Sequence, residues 1–351
     1  MHMADALISP AVGGTMWVAA AGLTVYSARK LKEEMDDRKT PLMGVLGALV
    51  FAAQMINFTI PGTGSSGHLG GAMLLAVLLG PYAAFITMAS ILTIQSLFFA
   101  DGGLLALGCN MINMGFFPCF IAFPLIYKRV AGRGPDRKRI LAASMAASVM
   151  GLLLGAVGVV TETFFSGISE LSFKTFILLM LPIHLVIGVV EGFVTASVVG
   201  FVCRSHPEVL QMADESSKGN SISLKPVIIT LAVIAALTGG FLSWFASTSP
   251  DGLEWSVARS SGNKELPAPA GKLHAFFSGL QEKTAFLPDY SFRKEKPEAP
   301  AANEAKKGND EPWPGVSAGT SVSGLLGGVM SLVLVGLIGI GIRTFQKRKS
   351  K

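Results

Sequence analysis

The sequence predicts an all-α polytopic membrane protein. About seven transmembrane helices are expected in its first part, and two more flank a long polar segment near its end. Three observations carry this. Half of the 351 residues are hydrophobic and only 15% are charged, where soluble domains carry nearer a quarter. Apolar runs recur, most of them near the roughly 20 residues a helix needs to cross a bilayer. The basic residues gather between those runs, as orientation signals do. Lipid offers no partners to open backbone groups, so the spans must be helical. The 40 glycines suit close helix packing.

Each span has a boundary signal. The first, at 10–28, stops at Arg29-Lys30-Leu31-Lys32, and the second, at 42–60, lies between Arg38-Lys39 and Pro61. Spans 69–82 and 83–100 divide at Gly80-Pro81, because proline breaks a helix interior. Span 103–127 ends at Lys128-Arg129, and 139–160 follows Arg137-Lys138-Arg139. Span 174–203 ends at Arg204, 226–246 follows Lys225, and 319–342 precedes Lys347-Arg348-Lys349. With all basic clusters cytoplasmic, the crossings run one, four, two and two, and the charge bias is met throughout. Met1, the 61–70 loop and the Ser247–Ala318 stretch are then extracytoplasmic, and the carboxy terminus is cytoplasmic. The start lacks the basic region of a signal peptide. Bulky His2 disfavours methionine removal, so Met1 is expected to remain the amino terminus.

That terminus carries chemistry. The Met1 amine and the His2 amide nitrogen close a five-membered ring on a metal ion. The same amide and the His2 imidazole Nδ1 close a six-membered ring. Three nitrogens then share a plane, and a fourth completes the square that Cu(II) or Ni(II) favours over zinc. His68, in the Gly- and Ser-rich loop PGTGSSGHLGG, is the candidate fourth ligand, on the same side as Met1. The plain alternative for each histidine is a polar residue of no special role.

His184 and Glu191, seven residues apart within an apolar span, read first as structural hydrogen bonding between packed helices, and otherwise as functional. His206 and His274 read as solvated loop residues. Cys109, Cys119 and Cys203 have no metal-type spacing and read as packing. The net charge of +6 does not imply nucleic acid, because its basic residues form no single face.

MHMADALISP, NFTIPGTGSSGHLGGAMLLAVLLGP and QSLFFADGGLLALGCNMINMG resemble the CbiM/NikM family, the cobalt/nickel substrate-specific membrane component of energy-coupling-factor transporters. SPDGLEWSVAR resembles the PDGLE module of its small NikN partner, so the chain resembles a NikMN-type fusion. The resemblance implies domains at 1–205 and 226–351, joined by a cytoplasmic linker at 206–225. It implies Ni(II) or Co(II) as cargo, with Met1, His2 and His68 as metal ligands. It implies a CbiQ/NikQ-like membrane coupling subunit and CbiO/NikO-like ATPases as partners, and no enzymatic activity in this chain. No GxxxxGK[ST] phosphate loop occurs. Asn57, Thr63, Ser65, Ser66, Asn110 and Asn113 are candidates for orienting the metal-bound histidine. Asp101 reads first as the cap of a helix beginning at Gly102-Gly103, and otherwise as a residue near the mouth of the site.

Docking on the coupling subunit wants a small-residue helix face. The Ala142-Ala143, Ala146-Ala147, Gly151, Gly155 stripe and the Ala19–Gly22 patch qualify, with packing inside the chain the equal alternative. An intramembrane metalloenzyme would want an HExxH pair, which is absent. A cobalt supplier for cobalamin synthesis is the nearer alternative to nickel uptake. The 247–318 stretch, rich in Pro, Ala, Lys and Glu at KEKPEAPAANEAKKGNDEPWPG, reads as largely disordered and free of metal ligands.

Overall fold

The computed structural model describes residues 2–34, 38–132, 136–205, 224–263, 266, 271–293 and 314–349. Among these, six helices are long and apolar enough to cross a membrane, and two shorter apolar helices accompany them. The chain is a multi-pass helical membrane protein.

The first helix, α1 (Pro10–Glu34), begins with proline in its first turn, where no amide partner is lost. The Ser9 hydroxyl accepts from the Val12 amide just ahead of it. Helix α2 (Lys39–Gln54) is buried almost throughout. It ends six residues before the expected 60, and a short antiparallel hairpin follows, β1 (Phe58–Ile60) and β2 (Ser65–Gly67). Its turn needs left-handed backbone at Gly62 and Gly64. The expected span at 69–82 is an eight-residue helix, α3 (Ala72–Leu79), about 12 Å long. It is bounded by Gly71 and Gly80, both at positive φ. Helix α4 (Pro81–Phe98) then starts on Pro81.

Helix α5 (Leu107–Ala131) winds as a π-helix over Ile112–Tyr127. Pro118 and Pro124 fall inside it, and the wider turn accommodates prolines that cannot donate to the ordinary ladder. Helices α6 (Arg137–Ser166) and α7 (Phe173–Ser205) pack along each other. Gly188 and Gly192 of α7 face the backbone of Val149 and Met145, each 2.7 Å from where a Cβ would sit. Of the predicted small-residue stripe on α6, Ala143, Ala147, Gly151 and Gly155 are buried within the chain while Ala142 and Ala146 are exposed. In the other patch, Ala20 is buried and Ala19, Ala21 and Gly22 are exposed.

The last part adds α8 (Lys225–Gly240) and α11 (Ala318–Lys349), which cross at Gly239 and Gly324 with backbone against backbone. Both pack on α2. Gly327 receives the Phe51 ring and Gly339 receives Thr40. Between them, the stretch expected to be disordered holds two helices among its described residues, α9 (Gly252–Ser261) and α10 (Lys272–Thr284). The reason is local. Asp251 and Glu254 form a reciprocal capping box, and Leu253, Val257 and Leu287 are buried. Average composition hid these short amphipathic segments. His274, expected in a solvated loop, is a buried residue of α10.

Candidate metal centre

The amino-terminal segment, the β1–β2 hairpin, the loop after α4 and the 247–290 segment converge at one end of the bundle. The amino-terminal segment is held by its backbone. The Met3 amide donates to Asn110 Oδ1 at 2.7 Å, and the Met3 carbonyl accepts from Asn110 Nδ2 at 3.3 Å and from the Gly103 amide at 2.9 Å. Asp5 Oδ1 accepts from the Ala106 amide at 3.0 Å, and His274 Nε2 donates to the Ile8 carbonyl at 2.9 Å. Gly102 must be glycine here. Its φ is +80°, and a Cβ would stand 2.9 Å from Asn110 Nδ2 and 3.3 Å from the His2 Cβ.

A chain of amides sets the tautomer of His2. The Gly70 carbonyl can only accept, so the Gln54 nitrogen faces it, at 2.7 Å. Gln54 Oε1 then accepts from Gln95 Nε2 at 2.9 Å. That leaves Gln95 Oε1 facing His2 Nε2 at 3.2 Å, so His2 Nε2 carries the proton. The lone pair is therefore on Nδ1, the nitrogen that can close a ring with the residue's own amide. Nδ1 lies 3.1 Å from Asp101 Oδ1, so in the metal-free protein its lone pair is matched when that carboxyl carries a proton, which burial favours, and Asp101 Oδ2 accepts from the Tyr290 hydroxyl.

His68 is treated alike. Its Nδ1 donates to the Leu69 carbonyl at 3.1 Å, and its Nε2 faces Asp251 Oδ2 at 3.9 Å. The two imidazoles stack with ring centres 5.0 Å apart and planes 15° apart. Burial lowers both pKa values from 6.5 to about 3, so both rings are neutral. Burial also raises the Asp101 carboxyl above its ordinary value. Two neutral ligand nitrogens flanked by two carboxyl groups make a cation-seeking arrangement. Among the described residues, no three His, Cys, Asp or Glu side chains converge as a metal cage. Side chains alone therefore do not complete a site.

The structure brings together His2 and His68 of the predicted ligand set; Met1 lies outside the described residues, as does His206. The other candidates grip the surroundings. Thr63 and Ser65 share a hydrogen bond of 2.8 Å, and the Ser66 hydroxyl donates to the carbonyls of Ser249 and Pro250. The Asn57 carbonyl accepts from the Ser247 amide at 2.7 Å. Asn113 Nδ2 donates to Glu162 Oε2 at 2.6 Å and lies 3.7 Å from the Met3 sulfur.

Asp101 does not cap a helix, since α5 begins only at Leu107; it is pinned between His2 and Tyr290 instead. Glu191 bonds between elements, accepting from the Gly70 amide at 2.7 Å, while His184 Nδ1 donates within its own helix to the Met180 carbonyl at 2.8 Å. Sequence reasoning missed Gln54, Gln95, Tyr290 and Asp251, and for Asp101 favoured the cap over a place near the mouth of the site. The two glutamines had a signal, being polar side chains set within apolar helices. Asp251 had none, because its partner is 183 residues away in sequence.

Residues 2–209 match the family model CbiM, described as the cobalt uptake substrate-specific transmembrane region. The chain belongs to the CbiM family. Residues 225–344 match a second model, the PDGLE domain. Beyond the CbiM region, relatives cover much of the whole chain. A putative fused nickel transport protein NikMN of Archaeoglobus fulgidus is 35% identical over 68% of this chain and 74% of its own. The fused nickel transport protein NikMN of Rhodobacter capsulatus is 31% identical over 83% of this chain and 88% of its own. The CbiM-type region also has a solved counterpart. The crystal structure of a truncated transition metal transporter is 30% identical, has a TM-score of 0.52, and matches 59% of this chain and 100% of its own.

Proposed function

We propose that this chain is the substrate-capturing membrane component of an ATP-driven energy-coupling-factor importer for Ni(II). The ion is held by the Met1 amine, the His2 amide and Nδ1, and His68 Nε2. The observation that carries this is the pair of imidazoles stacked 5.0 Å apart, each with one nitrogen facing an acceptor amide or carbonyl and the other beside a carboxyl group. The spacing agrees. With metal–nitrogen bonds of about 2.0 Å and roughly 1.1 Å from nitrogen to ring centre, two imidazoles on one ion lie about 4.5 Å apart when adjacent and about 6 Å when opposite. In the planar set, His68 is opposite the amide and adjacent to the His2 ring, and the ring centres are 5.0 Å apart.

The rest follows the same reading. Residues 1–205 form the metal-binding domain, 206–225 a cytoplasmic linker, and 226–351 the PDGLE module. The amino terminus is extracytoplasmic and the carboxy terminus cytoplasmic, from the basic clusters. A CbiQ/NikQ-like coupling subunit and CbiO/NikO-like ATPases supply the energy. Asn57, Thr63, Ser65 and Ser66 act by fixing the hairpin that carries His68, and Asn110 and Asn113 by fixing the residue after His2.

The test is the metal held by the purified full chain after growth in equal nickel and cobalt. Nickel with the absorption of a planar four-nitrogen complex is expected. Cobalt in excess would move the role to cobalt supply, and a chain that binds neither ion at equilibrium would sink the assignment.

A further inference from the structure

The carboxyl beside His2 is held from the far end of the chain. Tyr290 belongs to the region that matches the PDGLE domain, and it lies 189 residues from Asp101 in sequence. Its hydroxyl donates to Asp101 Oδ2, and among the described residues no other side chain donates to that carboxyl. With Oδ2 taken, Oδ1 is the oxygen that faces His2 Nδ1, at 3.1 Å. The end torsion of an aspartate is broad and nearly two-fold, so its own geometry does not fix which oxygen points where.

Both partners are firmly seated. The Tyr290 ring stacks on Phe99, with centres 5.1 Å apart and planes 22° apart, and meets Phe51 edge-on at 6.2 Å. The Leu287 and Asp289 amides donate to the carbonyls of Phe98 and Phe99, which fixes the turn that carries Tyr290 on the end of α4. The Asp101 amide donates to the Gln95 carbonyl at 3.1 Å, and Gln95 is the residue whose side chain faces His2 Nε2. The groups facing the two nitrogens of His2 are therefore tied to each other.

The backbone singles out the same contact. Among the described residues, three that are not glycine have positive φ: Ala100 at +56°, Asp289 at +50° and Tyr290 at +56°. A Cβ makes this conformation unfavourable. It persists where the surroundings over-determine it, and such residues gather at ligand clamps. Ala100 immediately precedes Asp101, and the other two end on Tyr290, so all three flank one hydrogen bond.

We propose that Tyr290 is a positioning residue for metal capture, whose hydroxyl holds the Asp101 carboxyl against the His2 ring. The inference rests on the reading that His2 Nδ1 is a ligand. An ion arriving at that nitrogen replaces the contact between ring and carboxyl. With Oδ2 held by Tyr290, the carboxyl stays beside the cation. Tyr290 itself touches neither the ion nor its ligands.

The test is a double-variant cycle on the purified full chain, read by nickel titration. Tyr290→Phe keeps the ring that stacks on Phe99 and removes only the hydroxyl. It should weaken binding about fivefold, less than the roughly 10- to 100-fold of a residue that contacts a ligand directly. The planar absorption should be unchanged, because no nitrogen is lost. Asp101→Ala should weaken binding at least as much, and adding Tyr290→Phe to it should change affinity by less than twofold. An equal drop in both backgrounds would mean that Tyr290 acts by packing alone, and the proposal fails. Affinity within twofold of the parent in Tyr290→Phe overturns it as well. The nitrogen NMR signals of the His2 imidazole in metal-free protein give a second reading that needs no Asp101 variant: they should shift in Tyr290→Phe, and unmoved signals overturn the proposal. His2→Ala tests the prior reading separately: if it leaves tight binding intact, the capture site itself is misassigned.

Discussion

The floor and the lid of the candidate metal centre are built differently. The floor belongs to the helical bundle and works through side chains: Gln54 to Gln95 to His2, with Asp101 beside it. The lid, residues 247–290, grips mostly backbone. Ser66 reaches the carbonyls of Ser249 and Pro250, Trp255 Nε1 donates to the Thr63 carbonyl, and Gln281 donates to the carbonyls of Ser96 and Gly102. The amides of Leu287 and Asp289 add to the carbonyls of Phe98 and Phe99. The floor therefore sets which nitrogen carries a lone pair, and the lid registers the shape of the loops. Changes in the floor should alter ligand chemistry, and changes in the lid should alter how firmly the site is closed.

The largest expected effect tests whether the backbone belongs to the floor's chemistry. One residue added before Met1 leaves both histidines in place but converts the terminal amine to a peptide nitrogen. Tight nickel binding and its planar absorption should both disappear. An extended protein with the parent's spectrum and affinity would remove the amine from the ligand set.

Next is the tautomer. Gln95→Leu removes the acceptor facing His2 Nε2 and should weaken nickel binding by about 10- to 100-fold, the usual cost of losing a residue that orients a ligand. Gln95→Glu keeps an acceptor there and should retain more affinity. Titrations that rank the two in the opposite order would break the relay argument.

Asp251 is the one lid residue whose side chain faces a ligand. Asp251→Asn preserves shape and removes a negative charge near the bound cation, and should weaken binding by roughly fivefold, the scale of a screened charge–charge interaction. A loss as large as that of Gln95→Leu would erase the distinction between floor and lid.

The remaining prediction concerns stability rather than affinity, through pH. Burial takes both histidines from 6.5 to about 3, so the folded state binds fewer protons than the unfolded chain between those values. Stability from the neutral rings is complete above pH 6.5 and is lost as the pH falls towards 3. Melting of the metal-free protein should track that fall, and a His2→Asn, His68→Asn double variant should flatten it. Identical pH profiles for the two proteins would show that the rings are not held neutral.

The bundle was legible because lipid imposes one rule on every span, and the basic clusters mark the ends. That His2 and His68 lie together was legible from the chelate chemistry of the amino terminus and from the side of the membrane on which the 61–70 loop falls; their role as ligands is the proposal. What escaped was set by geometry between distant segments. The eight-residue α3 looked like a span because its flanks, Leu69 and Tyr82, are also apolar. Asp101 follows an apolar helix and precedes two glycines, a local pattern that mimics a cap. The lid was hidden by composition: its Pro-, Lys- and Glu-rich stretch diluted the signals of α9 and α10, though the box Asp251-Gly-Leu-Glu254 is a readable helix start.

The short α3 has a consequence of its own. Glu191 Oε2 accepts from the Gly70 amide at 2.7 Å, just ahead of the start of α3. A helix start carries roughly half a positive charge, so α3 serves Glu191 as a counter-ion where no lysine or arginine is needed. It also works as an anchor. Sliding the hairpin that bears His68 along the bundle would strip the carboxylate of that donor in an apolar surround. The loop that carries His68 and helix α7 are therefore tied together two residues after His68.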